Sequence, residues 1–228
     1  MSAAEPRWTA LESNPDAMNK FLKSMGIPQS VECVDVLGFD DELLAMLPKP
    51  VYALLFIFPS FDKYHEEAKK QYEKLKAEGV SAPEGVFFMP QTIGNACGTF
   101  ALFHALANSA HRIDLGDGLF KQFLTKAEGL APDDRSKCLA TDALLAKAHS
   151  ECAQSGVTEA KDKVDHHFIC FVPKDGKLYL IDGAAPFPQQ LGATNHDSFA
   201  SDAGKKCAEF MKKYPENVSY SAIALVGK

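Results

Sequence analysis

A cysteine attacks a carbonyl only as its thiolate, and Cys97 stands where a thiolate is favoured. It follows Gln91-Thr92-Ile93-Gly94-Asn95-Ala96 and opens an apolar run, through Phe100, Leu102, Phe103, Leu106 and Ala107, that ends near Asn108. Apolar residues nearly all round mark a helix buried in the core. Asn95 is expected to cap it, which puts Cys97 in the first turn, where unpaired N–H groups and the positive dipole end lower a thiol's pKa. Gly98 is expected to leave room for a substrate backbone. Free cysteines are more often small core residues, so the assignment depends on what stands around the thiol.

A base and its partner come from a second stretch. Asp175-Gly176, between the strand-like runs 167–173 and 177–181, is a two-residue hairpin turn. If Lys174 faces Lys177, Asp182 lies opposite Ile169 and diagonal to His167, so an imidazole and a carboxylate share one face. The carboxylate then fixes the tautomer and orientation of His167, and His167 activates the thiol. A slip of one residue would abolish this pairing. His166 points to the opposite face, and His104, within the buried helix, reads as a core histidine. The Gln91 amide, six residues before Cys97, is placed to join the Cys97 N–H in holding an oxyanion. On spacing alone an ordinary loop glutamine is at least as good a reading.

The rest of the chain must position these groups. Ser13-Asn14-Pro15 starts an amphipathic helix whose face is Met18, Phe21, Leu22 and Met25 and which Gly26 ends. Residues 31–36 have strand composition, 40–47 suggest a short helix, and 51–58 read as a strand buried on both faces. The stretch 61–78, rich in Glu and Lys, is expected to be a solvated surface helix whose charges carry no function. A short strand is expected at 85–89, helices near 118–127 and 134–152, a polar loop at 155–164, a helix over 198–214 and a strand over 218–226. Interleaved helices and strands with an antiparallel hairpin give an α+β class, in one domain spanning 1–228.

The totals agree with a globular protein: 228 residues, 46% hydrophobic and 24% charged, enough to bury a large core. A net charge of -6 argues against a nucleic-acid surface and leaves room for a basic partner. The N-terminus lacks signal-peptide order and no apolar run is long enough to span a bilayer, so a cytoplasmic protein away from membranes is expected. The six cysteines are scattered without metal-ligand spacing, so thiols, no metal and no cofactor are expected.

With these residues in view, the sequence closely resembles the small ubiquitin carboxyl-terminal hydrolases, a family of papain-like cysteine deubiquitinases. The stretches that carry the resemblance are WTALESNP (8–15), VDVLG (34–38), ELLAMLPKP (42–50), QTIGNACGT (91–99), VDHHFI (164–169) and KLYLIDGAAPFP (177–188). They run in order along nearly the whole chain. The resemblance implies Cys97 as nucleophile, His167 as general base, Asp182 as its orienting partner and Gln91 in the oxyanion hole. It implies a central, mostly antiparallel sheet flanked by helices, a knotted chain, and a loop crossing the active site at about 151–165. The implied reaction is hydrolysis of esters, amides and short or flexible extensions at the C-terminal glycine of ubiquitin, or of a related modifier, by a monomer. Against the arginines of that tail, Glu12, Asp16 and Asp35 stand at matching positions, with Leu11 at an apolar contact. Leu180-Ile181 and Ala184-Ala185 depart from the family's usual residues around Asp182.

Overall fold

Asn14 shows how local chemistry sets the first element of this computed structural model, which describes residues 6–154, 166–216 and 219–228. Its side chain accepts from the Ala17 N–H at 2.8 Å and Pro15 takes the first helical position, giving α1 (Pro15–Ser24). Gly26 ends the turn at φ +84°, a left-handed conformation that glycine adopts without cost. Met18, Phe21, Leu22 and Met25 are buried, as their spacing requires.

β2 (Val51–Pro59) lies inside a six-stranded sheet ordered β1-β6-β2-β3-β4-β5, with β1 (Val31–Asp35), β3 (His166–Lys174), β4 (Lys177–Ile181), β5 (Gln189–Ala193) and β6 (Ser221–Gly227). All its described pairings are antiparallel. Alternation along β2 feeds two cores. Ala53, Leu55 and Ile57 face one that holds α1, α4 (Cys97–Ser109), α5 (Leu119–Ala127) and residues of α6 (Pro132–Ala140) and α7 (Ala143–Ala153). Leu54, Phe56 and Phe58 face the other, with Leu44 of α2 (Asp41–Ala45), Tyr64 of α3 (Asp62–Ala77), and Phe199, Ala203 and Cys207 of α8 (Phe199–Lys213). The protein is thus one α+β domain, an antiparallel sheet between helical layers.

The hairpin register is the expected one. Lys174 pairs with Lys177 and Cys170 with Ile181, and Asp175 and Gly176 both have positive φ, at 49° and 74°. Three expectations need correction, and one strand was not foreseen. Residues 85–89 form no strand, because side chains of α4 and α6 take their backbone bonds. Asn108 bonds both N–H and C=O of Phe87, His104 Nε2 lies 3.1 Å from the Met89 carbonyl, and Arg135 donates to the Phe88 carbonyl. The helix expected over 134–152 is two, α6 (Pro132–Ala140) and α7 (Ala143–Ala153), since Asp142 caps a new start by accepting from Leu144 N and Leu145 N. β5, an edge strand whose sequence Gln-Gln-Leu-Gly-Ala lacks apolar alternation, had no sequence signal. The surface helix α3 is not wholly solvated: Tyr64 and Tyr72 are buried.

Of the expected crossing loop, 151–154 complete the end of α7 and 155–165 lie outside the described residues. Among the described residues no helix is long and apolar enough to cross a membrane.

Candidate active site

The N-terminal segment prepares the entry to α4. Trp8 N–H donates to the Gly94 carbonyl and Gly94 N–H to the Pro6 carbonyl, while the Trp8 ring lies 4.6 Å from His149 of α7. His149 in turn bonds Thr99 Oγ1 and the Thr9 carbonyl, tying α4, α7 and this segment together. Asn95 is not the cap. It takes φ +63°, a left-handed conformation that asparagine tolerates, and the turn it makes leaves Ala96 as the capping residue, with no side-chain bond, and Cys97 as the first helical residue. Gly98 also differs from expectation. A Cβ there would point into the core, 3.4 Å from the Phe168 ring and 3.5 Å from Met18, an ordinary contact distance, rather than into space open to a substrate.

His167 opens β3 opposite Phe58 of β2, whose ring meets it edge-on at 5.5 Å. Its Nε2 donates to Asp182 Oδ1 at 2.8 Å, as the hairpin geometry predicts, which leaves Nδ1 as the nitrogen able to accept a proton. Asp182 sits just past β4 and is buried. Burial by itself would push its carboxyl up. The neighbouring His167 ring and the hydrogen bonds from His167, Tyr64 and the Ala184 N–H outweigh that and hold it below the usual carboxylate range.

The thiol belongs to the α4 layer and the imidazole to the opposite face of the sheet, and they meet where β3 begins. Cys97 Sγ donates to the His166 carbonyl at 3.8 Å and lies by the Phe168 N–H, so it straddles the backbone of His167. Burial pushes the thiol up to about 11 against the pull of the N–H groups of Gly98, Phe168 and Cys97 itself. The helix N-terminus therefore does not lower the thiol below its ordinary value here. Water exclusion wins, and the thiol is protonated at neutral pH in this arrangement.

Gln91 borders the same site. Its N–H donates to the Gly183 carbonyl at 2.8 Å and its side-chain amide to the Ile93 carbonyl at 3.1 Å. A Cβ on Gly183 would sit 3.0 Å from Gln91 Cβ, so a glycine after Asp182 lets the two segments close up. A cavity of about 550 Å³ opens here, walled by Gln91, Asp182, Gly183 and residues of α3. His104 is fully buried with its pKa lowered to about 4 by burial, and His166 is exposed. Among the described residues no cluster of three His, Cys, Asp or Glu could hold a metal ion.

Of the acidic residues, Asp16 and Asp35 are exposed and Glu12 half-buried, accepting from Asn14 Nδ2 at 2.8 Å. The Asn19 side chain bonds the backbone of Cys33 in both directions, so Asp16 and Asp35 flank one contact between α1 and β1. Leu11, expected as an apolar contact for the partner, is instead buried in the core at 5% exposure. Sequence reasoning missed Tyr64, which donates to Asp182, and His65, which bonds Ser60 Oγ and lies 5.7 Å from the His167 ring. The spacing of Tyr64, Ala68, Tyr72 and Leu75 along one face was the available signal.

A carboxylate-held imidazole beside a thiol suits acyl transfer through sulfur, and an α+β domain built around that set is a cysteine hydrolase. The sequence pattern "Ubiquitin carboxyl-terminal hydrolase, family 1" matches residues 8–212, and the chain belongs to that family. It is 43% identical over 216 residues to "Ubiquitin carboxyl-terminal hydrolase isozyme L1" of Homo sapiens, covering 94% of this chain and 96% of that protein. To the "Ubiquitin carboxyl-terminal hydrolase" of Drosophila melanogaster it is 38% identical over 220 residues, covering 96% of each. The catalytic domain of Trichinella spiralis UCH37, solved bound to ubiquitin vinyl methyl ester, shares the fold. Its TM-score is 0.75 at 24% identity, over 99% of this chain and 97% of that one.

Proposed function

We propose that this protein hydrolyses esters, amides and short extensions at the C-terminal glycine of ubiquitin through an acyl-enzyme on Cys97. The observation that carries the reading is the buried His167–Asp182 pair, 2.8 Å apart, beside the one thiol at the start of a core helix. Membership of the family and the activity its relatives are named for supply the substrate.

In this mechanism Cys97 Sγ turns from the His166 carbonyl to His167 Nδ1, gives up its proton and attacks the glycine carbonyl. Asp182 keeps Nε2 protonated and the ring in place while the imidazolium forms. The oxyanion is met by the Cys97 N–H and the Gln91 amide, which would leave the Ile93 carbonyl to do so. His167 then protonates the leaving group, and water activated by the same imidazole releases ubiquitin. Glu12, Asp16 and Asp35 receive the basic tail. Six free cysteines fit a reducing, cytoplasmic setting.

The test is incubation with ubiquitin carrying a C-terminal electrophile, followed by mass mapping of the modified residue. A single adduct at Cys97 is expected. An adduct at another cysteine would overturn the mechanism, and none on a folded chain would overturn the substrate.

A further inference from the structure

Asp182 is buried, and a buried carboxylate persists only when its oxygens find donors. Oδ1 accepts from His167 Nε2 and from the Ala184 N–H, both at 2.8 Å. Oδ2 accepts from the Tyr64 hydroxyl at 2.7 Å, across 118 residues of sequence. We propose that Tyr64 is a positioning residue of the active site: from α3, its hydroxyl holds the Asp182 carboxylate in the orientation and charge state that aim His167 at Cys97. The inference rests on the hydrolase reading above and adds a residue to it.

Tyr64 is built to stay in place. It is 8% exposed on a helix that is otherwise largely solvated, its ring meets Phe58 at 4.8 Å and Phe210 at 5.6 Å, and it lies 6.0 Å from the His167 ring. Locked between these rings, the hydroxyl cannot follow a moving carboxylate, so the carboxylate conforms to it. Without that donor, Oδ2 would keep no hydrogen-bond partner among the described residues. The carboxylate would then rotate or take up a proton, and either change weakens its bond to His167. The titratable groups around Asp182 are Tyr64, His65 and Tyr72 from α3, Cys97 and His104 from α4, and His167 from β3. Loss of one donor disfavours the charged carboxylate, so it protonates at higher pH and the assembly fails sooner on acidification.

α3 supplies its own control. The Tyr72 hydroxyl, two turns on, is also buried but has no hydrogen-bond partner among the described residues. Wild type, Tyr64→Phe and Tyr72→Phe are compared by hydrolysis of a ubiquitin C-terminal ester, by the pH dependence of Cys97 alkylation with iodoacetamide, and by thermal melting. Tyr64→Phe is expected to lower kcat roughly tenfold with KM little changed, and to move the acid edge of alkylation to higher pH. Tyr72→Phe is expected to do neither. Identical alkylation profiles in all three, or a lowered Tm for Tyr64→Phe with an unmoved acid edge, would overturn the proposal. A wild type that alkylates at Cys97 but leaves the ester intact counts against the substrate alone, and the alkylation profiles still decide on Tyr64.

Discussion

Cys97 stands under opposed influences: burial raises the thiol to about 11, and three backbone N–H groups pull it down. A thiol so placed is inert until a base approaches, so the proposed role of Cys97 depends on His167 more than on the helix terminus. Cys97→Ala is therefore expected to abolish turnover while ubiquitin still binds, as calorimetry would show. Cys170 is fully buried in β3, and burial raises its thiol still further, so Cys170→Ala should leave turnover largely intact. Equal losses in the two variants would contradict the role given to Cys97. The place of Cys97 at the start of a buried helix was legible because residue type, an apolar run and a turn coincided. The opposed pull of burial was not, because desolvation depends on atoms distant in sequence, the backbone of His166 and Phe168 among them.

At the scale of elements, α4 does more than present the thiol. Its Asn108 and His104 side chains replace a strand ladder for 86–89 and so fix the approach loop that carries Gln91. His104 stays neutral in this role, its pKa lowered by burial from 6.5 to about 4. A lowered folded-state pKa means that the unfolded chain takes up a proton first as pH falls. The stability conferred is thus complete above pH 6.5 and lost on the way down to about pH 4, on the order of 3 kcal/mol in all. Urea titrations at neutral pH and near pH 4.5 are expected to show a smaller acid loss in His104→Gln than in wild type. An equal loss would mean that His104 does not titrate between those values. The helix and hairpin signals here were local and readable: Asn14-Pro15, Asp175-Gly176 and the two-faced run of β2. The absent strand at 85–89 was not, since the groups that replace its ladder come from α4 and α6.

For the whole molecule, charge sets how a partner arrives. The net charge is -6, and Asp16 and Asp35 are exposed together where α1 meets β1. A basic tail would be drawn to that edge, and the attraction would weaken with salt over a screening length of about 8 Å at physiological ionic strength. The double change Asp16→Lys and Asp35→Lys is expected to raise KM for a ubiquitin ester several-fold, with kcat nearly unchanged and the salt dependence of KM reduced. Unaltered KM would remove these two residues from the binding surface.

By itself the sequence determined the family, the α+β class and the hairpin register, and it singled out Cys97, His167, Asp182 and Gln91 as the candidate site. Those features rest on short-range rules: turn chemistry, period-two alternation, and motifs whose residues lie within a few positions of one another. The tertiary structure alone decided how the motifs meet. It brought α3 over the sheet so that Tyr64 bonds Asp182, 118 residues away. It set the thiol against the backbone of His166 and Phe168, and it buried Cys97 deeply enough to reverse the effect of its helix end. Burial and long-range hydrogen bonds depend on which surfaces pack together, and that is fixed by the fold as a whole.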